Sequence, residues 1–308
     1  MNLFDYLRSI FAGTPTARRL HRQALSSTPS ITSGISELRD LCKDDAEKGG
    51  DSPIFLLSAG WRAGSTLLQR LVMSDPKVLM WGEPYDECGI IQALAHTLKA
   101  FRRGWPPKDY YFSGSKPASG DWVANFFPVP AYLHRGHRAF FEETFAEPAK
   151  LCGAERWGIK EVRLKAEHAH YLRWVYPNAK FLFLYRNPLD AYRSYCRYGR
   201  SWYNTWPDKP VFTPIAFGRH WRTLVESFLK EEKAVGALVV RYEDLVNNGG
   251  QLLQRIEHYL DLRMDRAILG NKVGSSLRGG ERAGVSALER ALLRREVAPL
   301  AEKLGYRW

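Results

Sequence analysis

The chain has 308 residues, is 45% hydrophobic and 25% charged, and carries a net charge of +12, a balance ordinary for a globular protein of one large α/β domain or two small ones. No run reaches the roughly 18 apolar residues of a membrane span, and Cys42, Cys88, Cys152 and Cys196 are too widely spaced for a CxxC or other metal-ligand pattern, so no metal is expected and the thiols read as free in a reducing, cytoplasmic compartment. The charge favours a polyanionic partner, but it is spread in short clusters such as Arg18-Arg19, Arg102-Arg103 and Arg294-Arg295 with no nucleic-acid motif, which puts nucleic acid low among the candidates.

Along the chain, residues 1–50 read as a polar helical extension. Its first twenty residues place Leu3, Phe4, Leu7, Ile10 and Phe11 on one face but include an early acid and no long apolar core. That makes a poor secretory signal, and a helix docked on its own domain is favoured over one lying on a membrane. Ile54–Ser58 is a continuous apolar run, as expected of a strand inside a parallel sheet. A helix follows from about Ser65 to Met73 and stops before Asp75-Pro76. A short strand at Val78–Trp81 ends in Gly82-Glu83-Pro84-Tyr85.

Residues 86–150 form a long excursion with a helix near 89–102 and then a stretch rich in aromatics, proline and glycine. It reads equally as a loop layer over the core or as an acceptor-binding lid. Trp157–Lys160 is a short strand, with a helix from about Leu164 to Val175. Lys180–Tyr185 (KFLFLY) is the clearest core strand, ending at Arg186-Asn187-Pro188, where Pro188 can open a helix carrying Asp190, Arg193 and Ser194. An aromatic loop at 199–214, a helix at 215–233, a strand at Ala237–Arg241 and helices near 251–260 and 286–304 complete the order. Strands alternating with helices predict an α/β fold with a mostly parallel sheet and helices on both faces.

Three groups of residues carry chemistry. Gly60-Trp61-Arg62-Ala63-Gly64-Ser65-Thr66 joins a strand to a helix N-terminus, a setting whose backbone amides cup a phosphate. A nucleotide triphosphatase loop would place lysine just before the hydroxyl residue that holds Mg²⁺. Here the cation is Arg62, three residues before Ser65, so the loop suits a phosphate-like group but not MgATP. Arg186, at the C-terminal end of a central strand, and Ser194 in the following helix suit a second phosphate; a plain pairing of Arg186 with Asp190 is the structural alternative. Glu83 and Lys160 each end a short strand, and one carboxylate with one ammonium at a transfer site can act as base and acid. Read singly, each is an ordinary surface charge.

Together these residues resemble the 3′-phosphoadenosine 5′-phosphosulfate (PAPS) dependent sulfotransferases, most closely the tyrosylprotein sulfotransferases and their bacterial relatives. The family's RSGTTL loop stands here as Arg62-Ala63-Gly64-Ser65-Thr66-Leu67, its GE motif as Gly82-Glu83, its strand lysine as Gly158-Ile159-Lys160, and its FLxxxRxPxxxxxS segment as FLFLYRNPLDAYRS with Arg186 and Ser194. RYEDL is present as Arg241-Tyr242-Glu243-Asp244-Leu245, and LGY as Leu304-Gly305-Tyr306. The motifs run in order over residues 54–306, with 21 residues from Arg62 to Glu83 and 26 from Lys160 to Arg186. Two features depart from the family: Pro84 follows the GE motif, and the late serine falls on Ser275 or, as preferred here, Ser276 in a glycine-rich stretch.

The resemblance implies a P-loop-like three-layer α/β/α domain over 51–308, with 86–150 as an acceptor-side insertion. It implies sulfuryl transfer from PAPS to an acceptor hydroxyl without metal. Glu83 would be the base, Lys160 and Arg62 the groups that stabilise the moving sulfuryl, residues 62–66 the 5′ cradle, Arg186 and Ser194 the 3′-phosphate site, and Ser276 a further donor. Ten tryptophans and fifteen tyrosines incline the acceptor towards a carbohydrate or small molecule, with a peptide tyrosine as the other candidate. The rival classes are a P-loop kinase or phosphotransferase using MgATP and a non-catalytic anion-binding protein.

Overall fold

The computed structural model describes residues 30–39, 52–85, 88–102, 104–107, 110–112, 123–124, 126–197, 211–247, 249–270 and 284–307, with single positions at 8, 10, 14–16, 19, 42 and 114. Most of the amphipathic N-terminus, most of the aromatic loop at 199–214, and both Ser275 and Ser276 lie outside them.

The strands in chain order are β1 (Ile54–Ser58), β2 (Val78–Trp81), β3 (Tyr111–Phe112), β4 (Phe127–Pro128), β5 (Arg156–Glu161), β6 (Lys180–Tyr185) and β7 (Ala237–Arg241). Five of them form a parallel sheet in the order β2-β5-β1-β6-β7, while β3 and β4 pair separately. The helices are α1 (Ile31–Leu38), α2 (Ser65–Val72), α3 (Ile90–Thr97), α4 (Pro130–Phe141), α5 (Glu147–Leu151), α6 (Ala166–Val175), α7 (Pro188–Cys196), α8 (Pro214–Val235), α9 (Tyr242–Asn247), α10 (Gly249–Leu260) and α11 (Ala287–Lys303).

Strand side chains alternate between faces, and here both faces are covered. Phe55, Leu57, Phe181 and Phe183 pack with Leu38, Ala95, Leu172, Phe228 and Val297 from α1, α3, α6, α8 and α11. Ile54, Leu56, Leu182 and Leu184 pack on the other side with Leu68, Leu245, Leu253 and Ile256 from α2, α9 and α10. Two covered faces explain the unbroken apolar runs of β1 and β6. At Gly158 a Cβ would come within 2.5 Å of the Ile54 carbonyl oxygen, so the residue two before Lys160 must lack a side chain.

Register sets the working edge. Ser58 lies opposite Leu184, Leu57 opposite Glu161, Trp81 opposite Ile159 and Tyr185 opposite Arg241. The C-terminal ends of all five strands therefore share one edge. The chain leaves β1 towards β2 and later crosses to β6 on β1's other side, so the loops after β1 and β6 flank a switch point, where open α/β sheets bind ligands.

The excursion differs from its expected form. The helix expected near 89–102 is α3 followed by a 3₁₀ turn at Leu98–Ala100. Beyond the aromatic stretch, α4, a π turn at Glu142–Ala146 and α5 form a nearly continuous helical run, begun by Pro130 at its first turn. Trp81 Nε1 donates to the Phe145 carbonyl at 2.9 Å, which ties that run to the strand end two residues before Glu83. None of the four cysteines is in a disulfide. Among the described residues no helix is long and apolar enough to cross a membrane.

Candidate active site

The loop between β1 and α2 is shaped by three left-handed positions: Gly60 (φ 82°), Arg62 (φ 65°) and Gly64 (φ 93°). Such alternation turns successive amides towards a common point, the geometry of an anion nest. Gly64 caps α2 and, lacking a side chain, makes no capping hydrogen bond to the first-turn amides that begin at Ser65 and Thr66. A Cβ on Gly64 would come within 2.2 Å of the Tyr242 ring. The RYEDL tyrosine is therefore packed directly under the loop.

Arg186, just past β6, does not take Asp190, which pairs instead with Arg193 at 3.2 Å. Its Nη1 donates to the Arg62 carbonyl at 3.1 Å and its guanidinium carbon lies 4.4 Å over the Tyr242 ring. Its Nε is buried with no hydrogen-bond partner among the described residues, a donor that an anion at this point would satisfy. Arg62 Nε donates to Ser194 Oγ at 2.9 Å. The residues assigned to two separate phosphate subsites are thus joined: Arg62 of the loop touches Ser194 of α7, and its backbone touches Arg186. Asn187 caps α7 by accepting from the amides of Leu189 and Asp190, and its own amide donates to Glu243 Oε1 at 2.8 Å. Tyr306 OH donates to Glu243 Oε2 at 2.8 Å, and the Arg241 guanidinium stacks on the Tyr306 ring. Burial and the adjacent Glu243 raise the Tyr306 phenol above its ordinary range, which keeps it a donor. RYEDL and LGY meet here as the brace behind the β6–α7 turn.

Glu83 and Lys160 are brought together: Lys160 Nζ donates to Glu83 Oε1 at 2.5 Å. Their side chains are 20% and 8% exposed, respectively, so this is a largely desolvated pair rather than two surface charges. Two neighbours escaped the sequence reading. Arg163 Nη1 lies 3.5 Å from Glu83 Oε2 and 4.0 Å from Glu161 Oε1. Glu161 is buried, and its Oε2 accepts from the amides of Val162 and Arg163. Burial lifts its carboxyl to about 7 against the pull of Arg163. The available signal was Lys160-Glu161-x-Arg163, three charges in four residues directly after the apolar Trp157-Gly158-Ile159.

Among the described residues one cluster, His96, Glu167 and His168, has metal-ligand types close together. His168 Nδ1 accepts the Lys165 amide at 3.0 Å. This puts the imidazole proton on Nε2, so as placed the ring offers a cation no lone pair.

Compared with known proteins, residues 53–266 match the model of the sulfotransferase family. No curated protein matches the chain. Among solved structures, the sulfotransferase domain of the Synechococcus PCC 7002 olefin synthase is 20% identical with a TM-score of 0.46, over 85% of this chain and 98% of that one. Mouse sulfotransferase SULT7A1, solved with PAP, is 14% identical with a TM-score of 0.40, over 90% and 85%. A sugar kinase from Janibacter sp. HTCC2649 is 12% identical with a TM-score of 0.35, over 71% and 98%.

Proposed function

This chain belongs to the sulfotransferase family, and from that premise we propose that it moves a sulfuryl group from PAPS to an acceptor hydroxyl with Glu83 as general base. The observation that carries the reading is the desolvated Lys160–Glu83 contact of 2.5 Å at the strand edge that also bears the anion loop. PAPS, when bound, supplies an activated sulfuryl group on a phosphate leaving group. Residues 62–66 receive its 5′ end through the first-turn amides of α2, the Ser65 and Thr66 hydroxyls and the Arg62 guanidinium. Arg186 and Ser194 hold the 3′-phosphate, and Ser276 is a further donor. The buried Arg186 Nε is the unmet donor that fits such a group.

Transfer of this kind spreads charge over equatorial oxygens, so the protein's work is positioning and electrostatic stabilisation. Glu83 accepts the acceptor hydroxyl proton. Lys160 and Arg62 stabilise the oxygens that gain charge, and Lys160 the departing oxygen. Sulfate carries less charge than phosphate, and the absence of lysine before Ser65 removes the feature that a MgATP kinase would need.

The acceptor reading is a carbohydrate or small molecule offered across the insertion. Tyr85, 57% exposed and two residues from Glu83, supports a ring contact there. A labelled-sulfate transfer assay over sugars, phenols and tyrosine peptides tests it. Glu83→Gln should lower turnover roughly 10²–10⁴-fold with donor binding kept. Turnover near that of the unaltered protein would move the base to another group.

A further inference from the structure

Arg163 and Glu161 take no part in the mechanism above, yet both are buried beside its centre. The Arg163 side chain is 2% exposed and its guanidinium meets two carboxylates and a ring: Glu83 Oε2 at 3.5 Å, Glu161 Oε1 at 4.0 Å, and Trp61 at 4.9 Å from the ring centroid. Trp61 belongs to the anion loop. Lys160 holds the other oxygen of Glu83. Each oxygen of the carboxylate thus faces its own cation, both supplied by β5 and the residues just after it. Among the described residues the patch sets two cations against the Glu83 carboxylate and a Glu161 carboxyl that burial keeps partly protonated, so opposite charges face one another where water is scarce.

The two cations differ in what else they must do. Lys160 has a flexible stem and a point charge, suited to following an oxygen through a reaction. Arg163 is wedged by Trp61 and by the Glu161 carboxylate, which two backbone amides hold in turn. We propose that Arg163 is the positioning residue for the base: it fixes the Glu83 carboxylate against the anion loop and compensates its charge when Lys160 engages the donor. This rests on the assignment of Glu83 as base. Among the described residues, the charged groups facing Glu83 are Lys160 and Arg163, with Glu161 behind Arg163.

The test compares Arg163→Gln and Arg163→Lys with the unaltered protein, measuring kcat, donor affinity by calorimetry with the 3′,5′-bisphosphate, and the pH profile of kcat/KM. Arg163→Gln should lower kcat by about 10²-fold, the cost of a misplaced reacting group, with bisphosphate affinity unchanged. Loss of a cation beside a carboxylate should also move the acid limb to higher pH. Arg163→Lys keeps the charge but not the planar stack on Trp61, so its acid limb should stay in place while kcat falls by a smaller factor. A fall in kcat with an unmoved acid limb in Arg163→Gln would reduce Arg163 to a structural residue. Should that variant fail to fold, normal kcat in Arg163→Lys would overturn the proposal and reduced kcat with a fixed limb would uphold it. Glu83→Gln, run in parallel, separates the two claims: undiminished turnover there removes the base itself, whatever Arg163 does.

Discussion

Glu161 shows what one buried carboxyl does at a strand end. Removal from water lifts its pKa from 4.5 to about 7; Arg163 opposes the shift and Glu83 adds to it. Between those two values the folded chain holds a proton that the unfolded chain has released. Its contribution to stability is therefore fully present below pH 4.5 and is lost as pH rises through about 7. His168 acts in the opposite sense: burial holds its imidazole down at about 3 from 6.5, so its contribution is lost as pH falls below 6.5. Glu161→Gln, which has the shape of the protonated form, isolates the first effect. Its Tm relative to the unaltered protein should rise between about pH 5 and about pH 8. Parallel Tm curves would contradict the shift. Of this cluster the sequence made Glu83 and Lys160 legible, because each ends a short strand and matches a motif. Glu161 and Arg163 were illegible for a physical reason. Charges at a strand end normally face water, and the contacts of Arg163 with Trp61 and Glu83, both remote in sequence, cannot be read from the local pattern.

Among the elements, the N-terminus of α2 is the most constrained. Gly64 has φ 93°, and a Cβ there would strike the Tyr242 ring, which itself carries the Arg186 guanidinium. Gly64→Ala should destabilise the chain by about 1–3 kcal/mol, the usual cost of a strained backbone position. It should also weaken bisphosphate binding, since Tyr242 can yield only by displacing Arg186. Thermal melting and titration check both effects; intact affinity in a folded Gly64→Ala protein would separate the Tyr242 packing from the anion site. At this scale the strands were the most legible elements. β1, β2, β6 and β7 match their expected spans, because covered faces leave continuous apolar runs. The run from α4 to α5 was not read, since the proline-, glycine- and aromatic-rich stretch before it carries strong loop signals and the run is held by tertiary contacts such as Trp81 to Phe145. The short helix α9 within RYEDL was likewise missed: six residues carry too little periodicity to stand out.

For the whole molecule, one sheet order gathers residues spread over most of the chain. Arg62 and Ser194 are 132 residues apart and hydrogen bonded; Glu243 and Tyr306 are 63 apart and close the brace behind the β6–α7 turn. Sequence order and motif spacing singled out Arg62, Arg186, Ser194, Glu83 and Lys160, and the structure brings the first three together and the last two into contact as a pair. They did not foretell that Arg62 itself touches both Arg186 and Ser194, which needs the register of β1 beside β6. The net charge of +12 suits a donor with several anionic groups. The most direct test of the account is calorimetric binding of 3′-phosphoadenosine 5′-phosphate, compared with ADP in the presence and absence of Mg²⁺, to the unaltered protein and to Arg186→Ala. The account predicts tight, metal-independent binding of the bisphosphate that Arg186→Ala greatly weakens. Preference for Mg²⁺-ADP, or bisphosphate affinity that Arg186→Ala leaves intact, would contradict it.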